Sequence, residues 1–271
     1  MSTSRVVSVR NWQPDGDQAR DDAIATEVPV ALTYNRLSHV VMMATPADLE
    51  DFALGFSLTE GMIGDASDLL GVRVIPREGG IEVAMTISEP WFDRLSTQRR
   101  NLTGRTGCGL CGAERIEQAL RFPAPVGDRL RVTHAVLQRS LGEMRHHQPL
   151  QSVTGATHGA AWCDLAGKIL VLREDVGRHN ALDKLIGALH KQAFDPRAGF
   201  LLVSSRASYE MVFKAAAAKM ELLMAVSAPT SLALEFAERC GVTLVGFARP
   251  GRHNIYTFDQ RIIDEAAHEG T

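Results

Sequence analysis

The sequence predicts an α/β protein with a small N-terminal α+β unit and a larger C-terminal half in which strands and helices alternate. In residues 29–95, apolar residues follow the period of strands, with one stretch of helical period between them. In residues 168–247, short apolar strands alternate with helical segments, which favours a mostly parallel sheet covered by helices. A chain of 271 residues fits one large domain or two small ones.

The first 44 residues are predicted to form strands. Residues 1–28 begin with a weak apolar alternation and then become acidic, so we expect a short strand or arm followed by a loose segment. Apolar residues alternate over 29–35, and residues 39–44 form a second apolar run. Both patterns predict strands.

A helix and a β-hairpin are predicted next. Thr45 precedes a proline and is expected to cap the helix. Strict alternation over 81–87 and an apolar run at 72–75 flank the turn Arg77–Gly80, which predicts a hairpin. The buried face of the helix is expected to carry Leu49, Phe52, Ala53 and Phe56.

The C-terminal half is predicted to alternate between strands and helices. Pro123 and Pro125 mark the expected boundary between an N-terminal domain at 1–125, which ends in a cysteine loop and its helix, and a C-terminal domain at 126–271. Strands are predicted at 168–173, 200–204, 222–226 and 242–247, and helices at 180–190, 208–220 and 230–239.

Hydroxyl and cationic side chains follow the predicted C-terminal strands, and ligands of open α/β sheets bind beyond the carboxyl ends of strands. Arginines and helix N-termini favour phosphate groups, so these residues predict a phosphate-bearing ligand. They are Arg178, His179, Ser204, Ser205, Arg206, Ser227, Arg249 and Arg252. For any one hydroxyl, including that of Thr230, an ordinary helix N-cap is the simpler interpretation.

Composition excludes several functional classes. Lys and Arg total 29 against 32 Asp and Glu, so a net charge of −3 gives no reason to expect general binding to nucleic acid or acidic lipid. No apolar run approaches the roughly 18 residues of a transmembrane helix. The polar start lacks the apolar core of a secretory signal. The four cysteines suit a reducing compartment, so we expect a cytoplasmic enzyme or carrier.

Familiar nucleotide and deaminase motifs are missing from the sequence. It contains neither G-x-x-x-x-G-K-[ST] nor G-x-G-x-x-G after a strand, which argues against a P-loop nucleotidase or a Rossmann dehydrogenase. None of the nine histidines is followed two positions later by glutamate, as a zinc nucleobase deaminase requires.

The most reactive segment is predicted at 103–112, where Cys108 and Cys111 form a C-x-x-C motif among four glycines. Residues 113–120 have helical period. Cysteines beside arginines and just before a helix are expected to have a stabilised thiolate, which is the nucleophilic form. Residues 98–131 carry seven arginines and three acidic residues, a local net charge of +4.

Three interpretations of the C-x-x-C motif stay open: half of a zinc site, a thioredoxin-like redox pair, or a nucleophilic, sulfur-carrying cysteine on a pliable loop. The zinc site lacks a second close pair of ligands, so we expect no catalytic metal. A thioredoxin motif usually follows a buried strand directly, whereas residues 97–107 are polar and rich in glycine. The isolated Cys163 and Cys240 are interpreted as buried structural residues.

The combined pattern resembles the formate dehydrogenase accessory sulfurtransferase family, FdhD, over nearly the whole chain. One departure is Lys219–Glu221, where a small-residue turn is expected before the strand. The resemblance rests on Glu27–Val30, Leu54–Phe56 through Glu60 and Gly61, Cys108–Gly112, Arg173–Lys184, Ser204–Arg206, Ser227–Ser231 and Asn254–Thr257.

The resemblance implies a sulfurtransferase that carries persulfide sulfur from a cysteine desulfurase to the molybdenum bis(molybdopterin guanine dinucleotide) cofactor, before formate dehydrogenase receives it. By similarity, Cys108 carries the persulfide and Cys111 assists. The family also implies a C-terminal three-layer α/β/α domain similar to cytidine deaminases, a homodimer, and partnership with the formate dehydrogenase catalytic subunit. The cofactor, as bound substrate, maps by similarity onto Phe247, Ala248, Arg249, Pro250, Gly251 and Arg252.

The family expectation fits the residues, because the phosphates of a guanine nucleotide-type ligand need arginines and helix N-termini. His179 is a candidate cofactor contact or proton donor, and capping of the 180–190 helix is the alternative. Two other functions stay open: a cofactor chaperone that transfers no sulfur, and a dithiol oxidoreductase that uses Cys108 and Cys111.

Overall fold

The computed structural model describes residues 1–102 and 122–264, which form a mixed α/β fold with four sheets. The strands are β1 (Ser4–Gln13), β2 (Gly16–Ala25), β3 (Val28–Tyr34), β4 (Leu37–Ala44), β5 (Leu69–Arg77), β6 (Gly80–Ile87), β7 (Val132–Thr133), β8 (His158–Asp164), β9 (Ile169–Asp175), β10 (Gly199–Val203), β11 (Leu222–Ala225), β12 (Thr243–Arg249), β13 (Arg252–Ile255) and β14 (Ile262–Ile263). The helices are α1 (Leu49–Thr59), α2 (Glu89–Leu102), α3 (His134–Met144), α4 (Pro149–Thr154), α5 (Arg178–Lys191), α6 (Tyr209–Ala217) and α7 (Ser231–Cys240).

The N-terminal unit is a four-stranded sheet in the order β4-β3-β6-β5, with α1 in the same apolar cluster. The predicted hairpin of β5 and β6 is confirmed, and so is the predicted apolar face of α1. The expectation that Thr45 caps this helix is wrong. The helix begins after Asp48, whose φ is 52° and whose side chain makes no capping bond.

Residues 16–25, which we expected to be a loose segment, form β2 and pair with β1 along its whole length. Both strands expose most of their side chains, so neither has a buried face that would impose an apolar alternation on the sequence. Hydrogen bonds between the two backbones hold this hairpin together. Because backbone hydrogen bonds do not require particular side chains, the sequence pattern does not predict the hairpin.

The C-terminal sheet has six strands in the order β13-β12-β11-β10-β8-β9. Strands β10, β11 and β12 are parallel, whereas β8 is antiparallel to both of its neighbours and β13 is antiparallel to β12. The expectation of a mostly parallel sheet is therefore wrong. We predicted no strand at β8, because its Gly159–Ala161 segment lacks the branched and aromatic residues that are typical of strands.

Helices cover both faces of this sheet in a three-layer α/β/α arrangement. Helices α5, α6 and α7 contribute to one apolar cluster, and α3 contributes to the cluster on the opposite face. A third cluster fills the N-terminal unit. Among the described residues, no helix has both the length and the apolar character that crossing a membrane requires.

Helices α1 and α5 cross in backbone contact, which fixes the N-terminal unit against the C-terminal sheet. A Cβ atom on Gly55 would lie 1.8 Å from the Asp183 carbonyl oxygen, and one on Gly187 would lie 1.9 Å from the Asp51 carbonyl oxygen. Neither position accepts a side chain unless the two helices separate.

Candidate functional site

Four strands of the C-terminal sheet end at one edge and bring most of the predicted ligand residues together. Strands β9 and β10 are both antiparallel to β8, and β10, β11 and β12 are mutually parallel, so β9 to β12 point the same way. The loops after these strands therefore meet at one edge, as ligand sites of α/β sheets do. His158, at the beginning of β8, lies at the same edge opposite Asp175.

Two of the expected loops are shorter than the sequence suggested. Helix α5 begins at Arg178, so Arg178 and His179 belong to its first turn and His179 does not cap it. Strand β12 continues to Arg249, and β13 begins at Arg252. Only Pro250 and Gly251 lie between these strands, and we call residues 249–252 the β12–β13 turn.

The loops after β10 and β11 are joined by backbone hydrogen bonds. Ser227 donates its N–H to the Ser205 carbonyl, and Phe247 donates its N–H to the Ser227 carbonyl. The Ser204 hydroxyl accepts a bond of 2.9 Å from Gly159 N. Of the candidate hydroxyls, Thr230 does cap a helix, since its Oγ1 accepts from Ala233 N. Thr230 is therefore a helix N-cap, as interpreted from the sequence, whereas the Ser204 hydroxyl bonds to the backbone of β8 at the edge of the sheet.

A buried ion pair anchors residues 175–180, which we call the α5 start. Asp175 and Lys184 are both fully buried, with Oδ2 and Nζ 2.6 Å apart. The Asp175 carboxylate also accepts N–H groups from Gly177 and Asn180. Both oxygens of the carboxylate and the Lys184 ammonium therefore have partners inside the protein, which a buried pair needs in order to be tolerated.

The same anchor ties the α5 start to the end of β4. Thr45 donates its N–H to Asp175 Oδ2 at 3.0 Å, and its Oγ1 accepts from Val176 N at 3.1 Å. Lys184 Nζ donates to the Thr45 carbonyl at 2.9 Å. This is why Thr45 does not cap α1: its polar groups bind the neighbouring half of the molecule.

A histidine–glutamate pair joins the first turns of α5 and α6. His179 Nε2 lies 2.9 Å from Glu210 Oε2, and both side chains are partly exposed. The close contact with His179 lowers the pKa of Glu210 below its ordinary value, so Glu210 is a carboxylate at neutral pH. Burial, and then the charges of Arg178 and His179, lower the pKa of His158.

Three buried polar atoms at the beginnings of α5 and α6 make no hydrogen bond to any described residue. They are Arg178 Nε, Ser208 Oγ and His179 Nε2, whose only contact of this kind is the ion pair with Glu210. An unsatisfied buried donor costs about 1–3 kcal/mol, so such atoms favour a ligand or water beside them.

The β12–β13 turn presents two arginines and an aromatic ring. Arg249 Nη1 donates to the carbonyls of Val226 and Ala248, so its Nε/Nη2 edge is not used in these bonds. Arg252 is exposed. Phe247 has a φ of 50° and exposes 45% of its surface, which is an unusual conformation and exposure for a large aromatic residue in a strand.

The cysteine loop lies outside the described residues, and so do Cys108, Cys111 and the predicted helix at 113–120. Cys163 and Cys240 are both buried, as expected of structural residues. Burial raises the pKa of Cys163 to about 12 and also raises the pKa of Cys240, so neither thiol is reactive at neutral pH. Within 1–102 and 122–264, no group of three or more His, Cys, Asp or Glu side chains has the arrangement of a metal site.

The sequence reasoning missed the residues that hold the site together. Asp175 and Lys184 stand within a recognised motif, but nothing in their spacing shows that they pair. Thr45 is 130 residues away from Asp175. Nothing in the sequence distinguishes Glu210 from an ordinary acid in the first turn of a helix, which helices favour for electrostatic reasons.

Comparisons with known proteins give one consistent family. The model of the FdhD/NarQ family matches residues 25–263. The chain is 51% identical over 265 residues to a protein named sulfur carrier protein FdhD from Cupriavidus necator, covering 98% of this chain and 92% of that protein. A protein of the same name from Bordetella petrii is 51% identical over 247 residues, covering 91% of this chain and 89% of the relative.

A solved structure also has this fold. It is a crystal structure from Desulfotalea psychrophila, of a proposed formate dehydrogenase accessory protein, with a TM-score of 0.78 and 28% identity. The match covers 97% of this chain and 100% of the other chain.

Proposed function

Because the chain belongs to the FdhD/NarQ family, we propose that it is a sulfur carrier that serves formate dehydrogenase. It accepts persulfide sulfur from a cysteine desulfurase on Cys108 and delivers that sulfur to the molybdenum bis(molybdopterin guanine dinucleotide) cofactor, which is bound as a substrate. The relatives that are about half identical to this chain and are named sulfur carrier proteins are the observation that carries this proposal.

The carboxyl edge of the C-terminal sheet is the proposed binding site for the nucleotide part of that substrate. Arg178 and Arg206 follow strands that end at this edge, and Arg249 and Arg252 are the two ends of the β12–β13 turn there. A pyrophosphate has the charge and geometry that arginine binds in a bidentate manner. The buried, unsatisfied Arg178 Nε and Ser208 Oγ are additional donors at this edge.

Phe247 is proposed to contact the guanine base. Its exposed ring lies at the same edge, immediately before the β12–β13 turn. An aromatic ring can stack on a purine, and such a contact is worth about 1–3 kcal/mol where it has been measured for nucleic acid bases.

Cys108 is proposed to take up sulfur by thiol–persulfide exchange. Its thiolate attacks the terminal sulfur of the donor persulfide, a new S–S bond forms on Cys108, and the donor cysteine leaves as a thiolate. The arginine-rich composition of residues 98–131 favours the thiolate form of Cys108. Cys111 is proposed to assist. In this role the C-x-x-C motif is neither a zinc site nor a redox pair.

Peptide mass spectrometry tests the proposal. The full chain is incubated with a cysteine desulfurase and cysteine, and the peptide containing Cys108 and Cys111 is analysed before and after reduction. We expect a reducible gain of one sulfur atom that disappears in Cys108→Ala and persists in Cys163→Ala, the control for a buried cysteine. If Cys108→Ala gains sulfur as efficiently as the parent, the assignment of the carrier is wrong.

A further inference from the structure

A polar network beneath the β12–β13 turn connects this turn to helix α3. His134 and Gln138 lie one helical turn apart on α3, so they share one face of the helix. Gly251 donates its N–H to Gln138 Oε1 at 2.9 Å, and Gln138 Nε2 lies 3.4 Å from the Arg252 carbonyl oxygen. One amide group therefore contacts two consecutive residues of the turn.

Two histidines continue the network. Gln138 Nε2 lies 3.0 Å from His253 Nδ1, and His253 Nε2 lies 2.9 Å from His134 Nδ1. The centroids of the two imidazole rings are 5.0 Å apart and their planes are 21° from parallel, which agrees with an in-plane hydrogen bond between the two nitrogens. Beyond them, His134 Nε2 lies 3.9 Å from the carboxylate of Asp264.

The hydrogen-bond directions of this network are determined by its first member. Since Gln138 Oε1 accepts from Gly251, its Nε2 donates, and His253 Nδ1 must accept with a lone pair. The proton of a neutral His253 is then on Nε2, which donates to His134 Nδ1. The network is complete only when both imidazoles are neutral.

Protonation of His253 breaks this arrangement. An imidazolium carries a proton on Nδ1, which would face the Gln138 amide N–H₂ group at 3.0 Å, donor against donor. Rotation of the amide would repair that contact, but only by removing the acceptor of Gly251. Burial, and then the neighbouring His134, lower the pKa of His253, in agreement with a neutral ring.

The charged groups next to the pair belong to the segment after β14 and to β13. Asp264 approaches His134 from the segment that follows β14, and Arg252 precedes His253 on β13. On α3, the partner of His253 is the uncharged Gln138. No described carboxylate is within ion-pair distance of His253, so an imidazolium there has no counter-charge to stabilise it.

We propose that Gln138, His253 and His134 are positioning residues that hold the β12–β13 turn for nucleotide binding and release it in mild acid. The inference rests on the proposed function, in which Arg249 and Arg252 of this turn bind a pyrophosphate. The direction of the effect is specific. An imidazolium acting only through its charge would strengthen the binding of an anion, whereas loss of the network weakens it.

The test measures binding of GDP-mannose by calorimetry at about pH 7.5 and about pH 5.5, across the range in which histidine titrates. GDP-mannose is the probe because its phosphates are both esterified, whereas a terminal phosphate titrates near pH 6. We expect the parent to bind about three- to tenfold more weakly at the lower pH. The matched control is His146→Asn, which removes an exposed histidine outside the network and should leave this pH dependence unchanged.

Two variants should remove or reverse the weakening of binding in acid. In His253→Gln the imidazole that faces Gln138 is absent, so affinity should vary less than about twofold between the two pH values. In Gln138→Glu the introduced carboxylate accepts from both Gly251 and a protonated His253, so binding should be retained or strengthened in acid. Circular dichroism at both pH values shows that each variant is folded.

Nitrogen-15 spectra of the histidine side chains test the network without any ligand. We expect His253 to be the neutral tautomer with its proton on Nε2 at neutral pH. A different tautomer, or parent binding that is constant or tightens in acid, would overturn the inference and leave the proposed function standing. Absence of GDP-mannose binding at both pH values would overturn the proposed nucleotide site, and the inference with it.

Discussion

The α5 start and the β12–β13 turn present arginines at the same edge of one sheet, but they are held in place by different chemistry. At the α5 start, the anchor is a fully buried ion pair between Asp175 and Lys184. At the turn, the anchor is the neutral side chain of Gln138 on a partly exposed surface. The first anchor also joins the two halves of the molecule through Thr45, whereas the second supports only a turn.

Because the two anchors differ, the stability of the fold and the binding of the ligand should depend on different residues. Removing one member of a buried ion pair leaves an uncompensated charge, which destabilises the whole fold. Removing a surface contact changes the position of a few residues and costs little stability. We therefore expect mutations at the α5 start to act mainly on folding, and mutations at the turn to act mainly on the ligand.

The largest effect is expected for Lys184→Met. The substitution leaves the Asp175 carboxylate buried without its cation, and the free energy of unfolding should fall by about 3–5 kcal/mol. The control is Lys191→Met, which removes a partly exposed lysine of the same helix. Its partner Asp51 keeps an ion pair with Arg173, so the loss should be about 0–1 kcal/mol. Urea denaturation measures both, and equal losses would show that the buried pair is not the anchor.

A smaller loss is expected where α1 crosses α5. Gly187→Ala places a methyl group against the Asp51 backbone, and overpacking of this kind costs about 1–3 kcal/mol. The matched control is Gly142→Ala on α3, where the new Cβ would have no atom of another element within 4 Å. That substitution should stabilise the protein by up to about 1 kcal/mol, since alanine favours helix. If both substitutions change the melting temperature in the same direction, that result would contradict the close contact between α1 and α5.

The turn should show the opposite behaviour. Arg252→Ala is expected to weaken GDP-mannose binding about tenfold, or about 1.4 kcal/mol, because one bidentate phosphate contact is lost. The free energy of unfolding should change by less than about 0.5 kcal/mol, as for other exposed positions. Calorimetric titration and urea denaturation of the same sample compare the two quantities. A variant that binds normally would contradict the assignment of the turn.

The smallest effect concerns the pair of His179 and Glu210. Since the folded-state pKa of Glu210 is lowered, its contribution is present above the ordinary value of 4.5 and is lost as the pH falls through the folded value. Glu210→Gln should lower stability at neutral pH by at most about 1 kcal/mol, because the pair is partly exposed. Parent and variant are denatured at a series of pH values from neutral to acid. The difference between their free energies of unfolding should become smaller below the ordinary pKa of Glu210. A gap that is constant with pH would contradict the ionic contribution.

The sequence predicts elements whose side chains have one buried face. The alternation of Ile81 to Ile87 and the helical spacing of Leu49 to Phe56 both identified buried surfaces that the structure confirms. The sequence does not predict β2, which buries almost nothing, or β8, whose small residues carry little strand preference. These two strands account for the missed hairpin and for one antiparallel member of the sheet.

The same distinction applies to the candidate site, where the sequence predicts some residues and not others. Its arginines and hydroxyls could be predicted, because they directly follow apolar strands and the ends of parallel strands share one edge. The supporting contacts could not, because they join residues far apart in the chain. Asp175 with Thr45 and Gln138 with Gly251 are separated by 130 and 113 residues. Which distant residues come into contact depends on the topology of the whole fold. The spacing of residues along the sequence does not show it.

We propose that Cys108 takes up sulfur without the help of the arginines that bind the substrate, and one reconstitution tests this directly. The parent and Arg252→Ala are loaded with sulfur by a cysteine desulfurase, loading of Cys108 is measured by mass spectrometry, and each is used to activate a formate dehydrogenase that lacks cofactor sulfur. We expect equal loading and about tenfold weaker activation by Arg252→Ala at limiting protein, in proportion to its weaker binding. Equal loading with equal activation would contradict the account.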